Sequence, residues 1–159
     1  MIRKLLVTNG KERKYLVKVA DFGLSKKLGS DSYYKKSDAS FAIKWAAPEI
    51  IEYYKYSTKS DVWAFGVTMW ELYTNGKAPY TLLSNEVTME YVIGGKRLDK
   101  PDECPSDVWD IVQSCWAKEA DDRPTFASPL TSLLAVAKLP PSFSDRQSTG
   151  QTGETAIYN

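Results

Sequence analysis

Lys59-Ser60-Asp61-Val62-Trp63-Ala64-Phe65-Gly66-Val67-Thr68-Met69-Trp70-Glu71-Leu72-Tyr73-Thr74 has a helical period, with Val62, Phe65, Met69 and Leu72 on one flank and Trp63, Val67 and Trp70 on another. Apolar side chains occupy nearly every direction around that helix. Such a helix must be wrapped by protein, so it belongs at the centre of the fold. Asn75-Gly76 supplies its stop, since both residue types accept the left-handed backbone that ends a helix.

Outward from this segment, three further helices are expected. One covers residues 85–93, capped by Ser84 and ended by Gly94-Gly95; a second covers 107–116, capped by Ser106. The third is an amphipathic run to Leu139 with Leu130, Leu133, Leu134 and Ala137 at helical spacing. Pro129 would break that helix in its interior, so it is placed in the first turn, with Ser128 or Thr125 as the cap. On the amino-terminal side, residues 5–8 and 15–20 read as two short strands rich in Leu, Val and Tyr. Asn9-Gly10 and the charged residues 11–14 join them, and Asn-Gly accepts positive φ, so a hairpin is expected. Residues 24–43 lack periodicity and are long for a connection in a compact domain; such loops are functional or disordered. From Pro140 the chain turns to Ser, Thr, Gly, Gln and Pro, too polar to offset its ordering entropy. The expected organisation is one mainly α domain over 1–139 and a disordered tail over 140–159, with no internal repeat.

The 159 residues suit one domain, and 43% hydrophobic content with five Trp and five Phe suffices for a packed core. Lys plus Arg number 21 against 20 Asp plus Glu, so no bulk field points to nucleic acid or a membrane surface. Partners must be recognised at specific sites. Cys104 and Cys115 form no zinc-ligand pattern, and two thiols in a chain of this size suit a reducing cytosol, where they read as buried and free. The apolar run at residues 1–7 is too short for a signal peptide or a membrane span.

Two triplets carry chemistry. Asp21-Phe22-Gly23 ends the apolar run Leu16-Val17-Lys18-Val19-Ala20, and Ala47-Pro48-Glu49 follows downstream. Their order and spacing resemble the activation segment of protein kinases. Lys44-Trp45-Ala46-Ala47-Pro48-Glu49, Ser60-Asp61-Val62-Trp63-Ala64-Phe65-Gly66-Val67, Cys115-Trp116 and Arg123-Pro124-Thr125-Phe126 are similar to tyrosine-kinase signatures in particular. The resemblance runs from residue 3 to about 139. Asp21-Phe22-Gly23-Leu24-Ser25-Lys26 with the adjacent Tyr33-Tyr34 most resembles the spleen tyrosine kinase group of cytoplasmic kinases; Ala42 stands where that family usually has proline.

The resemblance implies a kinase-like carboxy-terminal lobe: a central buried helix, surrounding helices and a short amino-terminal β-hairpin, without the amino-terminal lobe. It implies ATP and magnesium in a complete parent, with Asp21 as metal ligand and Asp21, Phe22 and Gly23 beside the nucleotide. Alone, Asp21 would be a loop carboxylate capping a turn, and one carboxylate makes a poor magnesium site. Arg3-Lys4-Leu5-Leu6-Val7 resembles the tail of a tyrosine-kinase catalytic loop, with Arg3 matching its arginine and Lys4 replacing its magnesium-binding asparagine. A charged lysine cannot ligate a cation. The alternative is that Arg3 and Lys4 are solvated charges.

These residues hold no histidine, no glycine-rich phosphate loop and no Val-Ala-Ile-Lys motif, so no catalytic base aspartate in an H-R-D context lies within them. The expectation is a piece of a cytoplasmic tyrosine kinase that binds no cofactor and transfers no phosphate by itself. The alternative is a non-catalytic binding module, docking through Tyr33, Tyr34 and its helical face.

Further roles follow from the resemblance. Tyr33 and Tyr34, between Asp31 and Lys35-Lys36, would be accessible loop tyrosines open to phosphorylation and then to phosphotyrosine-binding partners of the SH2 type; otherwise they are two surface aromatics. Lys44 and Trp45 fall on the protein-substrate platform; Tyr53, Tyr54, Tyr56, Tyr73 and Tyr80 either line a peptide-binding surface with Trp45 or, more simply for most of them, pack in the core or at its rim. Glu49 and Arg123 would form an ion pair tying the activation segment to the lower helices. Asp61 would brace the catalytic loop, or act as a carboxylate at a helix start, where negative charge is favoured.

Overall fold

The computed structural model describes residues 5–8, 16–20, 33–35 and 42–137. Strand β1 (Leu5–Thr8) pairs antiparallel with β2 (Leu16–Val19), Leu5 opposite Val19 and Thr8 opposite Leu16. The expected hairpin strands form, the second one residue shorter at each end. Residues 9–15, with Asn9-Gly10, lie outside the described residues, as do Leu139 and the expected tail.

The expected irregular stretch over 24–43 contains regular structure. Strand β3 (Tyr33–Lys35) pairs antiparallel with β4 (Lys55–Ser57), and a 3-10 turn covers Ile43–Trp45. Helix α1 (Pro48–Tyr53) follows, with Pro48 in its first turn, where a missing N–H costs nothing. Tyr54 then adopts φ 52° and turns the chain directly into β4.

Helix α2 (Thr58–Tyr73) is the central element, one residue earlier at its start than the sequence suggests. Ser57 caps it reciprocally: its Oγ accepts from the Ser60 N–H at 3.3 Å, and the Ser57 N–H donates to Ser60 Oγ at 2.9 Å. At the other end, the Asn75 N–H reaches the Leu72 carbonyl and the Gly76 N–H the Glu71 carbonyl, with φ of 55° at Asn75 and 81° at Gly76. This paired closure explains why Asn-Gly ends the helix. Helix α3 (Asn85–Ile93) is capped by Ser84 and closed the same way, by Gly95 N–H to Val92 O and Lys96 N–H to Tyr91 O.

Two expected caps are corrected. Helix α4 (Ser106–Cys115) takes Ser106 as its first helical residue and Pro105 as its flanking residue, with no side-chain cap bond. Pro-Ser enters the helix directly because proline fixes φ near the required value. Helix α5 (Ala127–Val136) starts after Phe126, which makes no side-chain cap bond either; neither Ser128 nor Thr125 is the cap. Pro129 does fall in the first turn and is buried.

The core gathers Ala47, Val62, Trp63, Val67, Tyr80, Val92, Val108, Val112, Cys115 and Trp116. α2 lies against α4, β4 and the 3-10 turn, and α5 lies against α4. Burial of α2 covers a broad face rather than the whole circumference: Val67 is fully buried, while Leu72 is 49% exposed. Gly66 sits where α2 meets the end of α4; a Cβ there would lie 2.7 Å from Trp116 Nε1. That close approach lets the Trp116 indole donate to the Trp63 carbonyl at 3.3 Å. Both cysteines are free and buried, and burial pushes the Cys115 thiol up to about 11.

Candidate functional site

The segment 42–54 is held to the helical body at three points. Lys44 Nζ donates to the Tyr80 carbonyl at 2.8 Å. Trp45 Nε1 donates to Glu71 Oε2 at 2.9 Å, and Glu71 is buried in α2. The third point is Glu49, in the first turn of α1, which receives both arms of the Arg123 guanidinium at 2.7 Å each. Lys44 and Trp45, singled out as a substrate platform, are therefore half-buried, and their polar atoms face their own fold.

Arg123 is fully satisfied. Besides Glu49 it donates to the carbonyls of Ala117 (2.9 Å), Lys59 (3.1 Å) and Lys118 (3.1 Å). A guanidinium has five N–H donors, and here all five are used. Lys59 reciprocates by donating to the Arg123 carbonyl. The guanidinium also stacks 5.0 Å from the Trp63 ring centre, and Arg97 approaches the same ring at 4.5 Å. A buried charge so placed is neutralised by Glu49 and solvated by backbone carbonyls in place of water.

Tyr33 and Tyr34 lie on β3, not in an irregular loop. Tyr33 is partly exposed, and the Lys55 ammonium sits 4.2 Å from its ring centre. Tyr34 is half-buried and stacks on Tyr56, ring centres 5.0 Å apart and 14° from parallel. Desolvation, then the Asp61 charge, raises the Tyr34 phenol above its ordinary value. Tyr56 is raised by desolvation and by Tyr34 and Tyr54, and its hydroxyl is buried without a hydrogen-bond partner. Asp61, in the first turn of α2, keeps solvent contact while desolvation raises its carboxyl. A cleft of about 910 Å³ opens beside these groups, lined by Tyr33, Glu52, Lys55, Lys59, Lys118 and Phe126 among others.

Arg3, Lys4, Asp21, Phe22 and Gly23 lie outside the described residues. Among the described residues no group of three or more His, Cys, Asp or Glu could hold a metal ion, and no helix is long and apolar enough to cross a membrane. Sequence reasoning missed Glu71, Arg97 and Lys59, and it read Tyr56 as packing without its partner Tyr34. An acid in the middle of an apolar helix was the available sign for Glu71; the others contribute through long-range contacts that no local pattern marks.

The chain matches the family "Protein tyrosine and serine/threonine kinase" over residues 1–133. Curated relatives include the tyrosine-protein kinase Btk of Drosophila melanogaster, 43% identical over 77% of this chain and 16% of that protein. The tyrosine-protein kinase Abl of the same species is 48% identical over 71% of this chain and 7% of its own length. The tyrosine-protein kinase receptor TYRO3 of Danio rerio is 47% identical over 78% of this chain and 14% of that protein. The chain thus spans less than a fifth of the length of these relatives, which include a receptor. Its helical body, the Glu49–Arg123 brace and the match over residues 1–133 together show that it belongs to the protein tyrosine and serine/threonine kinase family, among the tyrosine kinases.

Proposed function

We propose that the chain is the helical lobe of a cytoplasmic protein-tyrosine kinase, nearest the spleen tyrosine kinase group, whose complete parent moves the γ-phosphoryl group of ATP to tyrosines of protein substrates. The observation that carries this reading is the brace from Glu49 to Arg123, which fixes the end of the activation segment on the helical body. Asp21-Phe22-Gly23-Leu24-Ser25-Lys26 and the tyrosine pair support the subgroup.

In the parent, magnesium-bound ATP supplies the phosphoryl group, and Asp21 is the residue of this chain whose carboxylate suits the metal. The roles of the remaining residues are positional. Glu49 and Arg123 anchor α1, while Trp45 and Lys44 hold the preceding turn against α2 and the Tyr80 carbonyl, so the backbone of residues 42–47 presents a fixed rail to a protein substrate. Tyr33 and Tyr34 serve as phosphate acceptors, offering SH2-type partners a docking point.

These 159 residues, without a histidine or a glycine-rich loop, transfer no phosphate unaided. Incubation with radiolabelled ATP and a poly-Glu-Tyr substrate should give no label above a blank; turnover would overturn this. Reading the transcript upstream of Met1 tests the parent activity. An in-frame histidine-arginine-aspartate is expected there, and its absence would leave only a non-catalytic docking role.

A further inference from the structure

Successive residues of a strand project to opposite faces of their ladder. In β3 the alternation puts Tyr33 and Lys35 on one face and Tyr34 on the other, and their exposure alternates accordingly. The register sets Lys35 directly opposite Lys55, Tyr34 opposite Tyr56 and Tyr33 opposite Ser57. The face of Tyr33 therefore carries two like charges in a direct cross-strand pair, an arrangement that weakens a ladder. Nothing acidic from β3 or β4 relieves it, and Lys55 leans over the Tyr33 ring instead. The opposite face is aromatic: Tyr34 stacks flat on Tyr56, whose hydroxyl is shut away from solvent.

We infer that phosphate on Tyr33 and phosphate on Tyr34 act with opposite sign on the β3–β4 pairing, the first fastening the strand and the second releasing it. This rests on the reading of both tyrosines as phosphate acceptors. Transfer from ATP replaces the phenolic proton by a phosphoryl group and releases ADP, adding about −1.5 to −2 charges at that oxygen. On Tyr33 the new dianion lies beside Lys55 and on the face of Lys35, where it neutralises the lysine pair and gains charge-assisted hydrogen bonds. On Tyr34 it must leave the stack, because a dianion cannot stay half-buried against Tyr56, and the Asp61 carboxylate on α2 adds repulsion. Adjacent tyrosines thus become opposed inputs simply because a strand alternates.

The test installs phosphotyrosine at position 33 or 34 of the full chain by genetic encoding. Amide hydrogen exchange is then followed across residues 33–35 and 55–57. Phosphate at 33 should slow exchange about two- to fivefold, the range of exposed charge pairs, and the gain should shrink at high salt. Phosphate at 34 should speed exchange about tenfold or more, while protection of α2 and α4 stays unchanged. The double variant Lys35→Met/Lys55→Met should abolish the gain at 33, and Asp61→Asn should recover part of the loss at 34. Shifts of the same sign, no shift at either position, or a gain at 33 that survives removal of both lysines would each overturn the inference. Because the phosphate is built in, these outcomes hold whether or not a kinase adds it. Phosphopeptide mapping after exposure to an active tyrosine kinase tests the acceptor reading separately, and two unmodified tyrosines would sink that reading alone.

Discussion

Arg123 and Glu49, 74 positions apart in sequence, meet through two parallel hydrogen bonds of 2.7 Å, with the guanidinium wholly buried and the carboxylate nearly so. The pair turns α1 and the loop before α5 into one rigid junction. Arg123→Ala should lower stability by about 3–5 kcal/mol, since it leaves a carboxylate in a site built for a cation. Arg123→Lys should recover little, because a point ammonium cannot serve five acceptors in fixed directions. Thermal melting of both variants checks this, and an unchanged melting temperature would mean that the junction adds nothing to stability.

Gly66→Ala should destabilise by about 1–3 kcal/mol, because its Cβ would enter the space of the Trp116 indole, 2.7 Å away. Denaturant midpoints measure the loss. Pairing it with Trp116→Phe, which vacates the space at Nε1, should recover part of it.

Trp45→Phe removes the indole N–H that Glu71 accepts within α2. The expected cost is about 1–3 kcal/mol, with faster hydrogen exchange over residues 43–46 than in α4. A uniform change across both would show that Trp45 acts through packing alone.

Stability should fall as pH rises through the window from about 9 to about 11. Burial raises the Cys115 thiol from 9.0 to about 11, so the unfolded chain loses this proton first and ionisation favours unfolding. The folded state binds the extra proton, which gives stability its negative slope with pH. The loss is on the order of 2 kcal/mol across that window. Cys115→Ala should flatten the slope measured by urea unfolding at pH 8 and pH 11. The slope that remains belongs to the other groups raised by burial, Cys104, Tyr34, Tyr56 and Tyr80, the last pushed up to about 12.

Much of this architecture could be derived from local pattern. α2, α3 and their stops follow from periodicity and from Asn75-Gly76 and Gly94-Gly95, because helix closure is a local event. The Glu49–Arg123 contact was reachable only through family resemblance, since no periodicity links two residues so far apart. β3 and β4 were not legible: each has three residues, and their pairing is decided by tertiary placement, so propensity says little about either. The same distance effect hid Arg97 and Lys59. Ser106, Ser128 and Thr125 looked like caps because serine and threonine are good ones, but Pro105 and Phe126 fill those positions by backbone geometry alone. Lys44 and Trp45 were singled out as a substrate platform through family resemblance, and no local pattern showed that both side chains bond inward to their own fold.

Trp63 lies between Arg97, from the segment after α3, and Arg123, from the loop before α5. One indole is thus gripped from two regions of chain, which also converge on the neighbouring carbonyls of Trp116 and Ala117. Slackening of either region would be felt by the same ring, so the helices should surrender together on heating as a single thermal unit. Strand β4 belongs to that unit through Ser57, which caps α2, so it is β3, the strand bearing the tyrosine pair, that can come and go while the body beneath it stays intact.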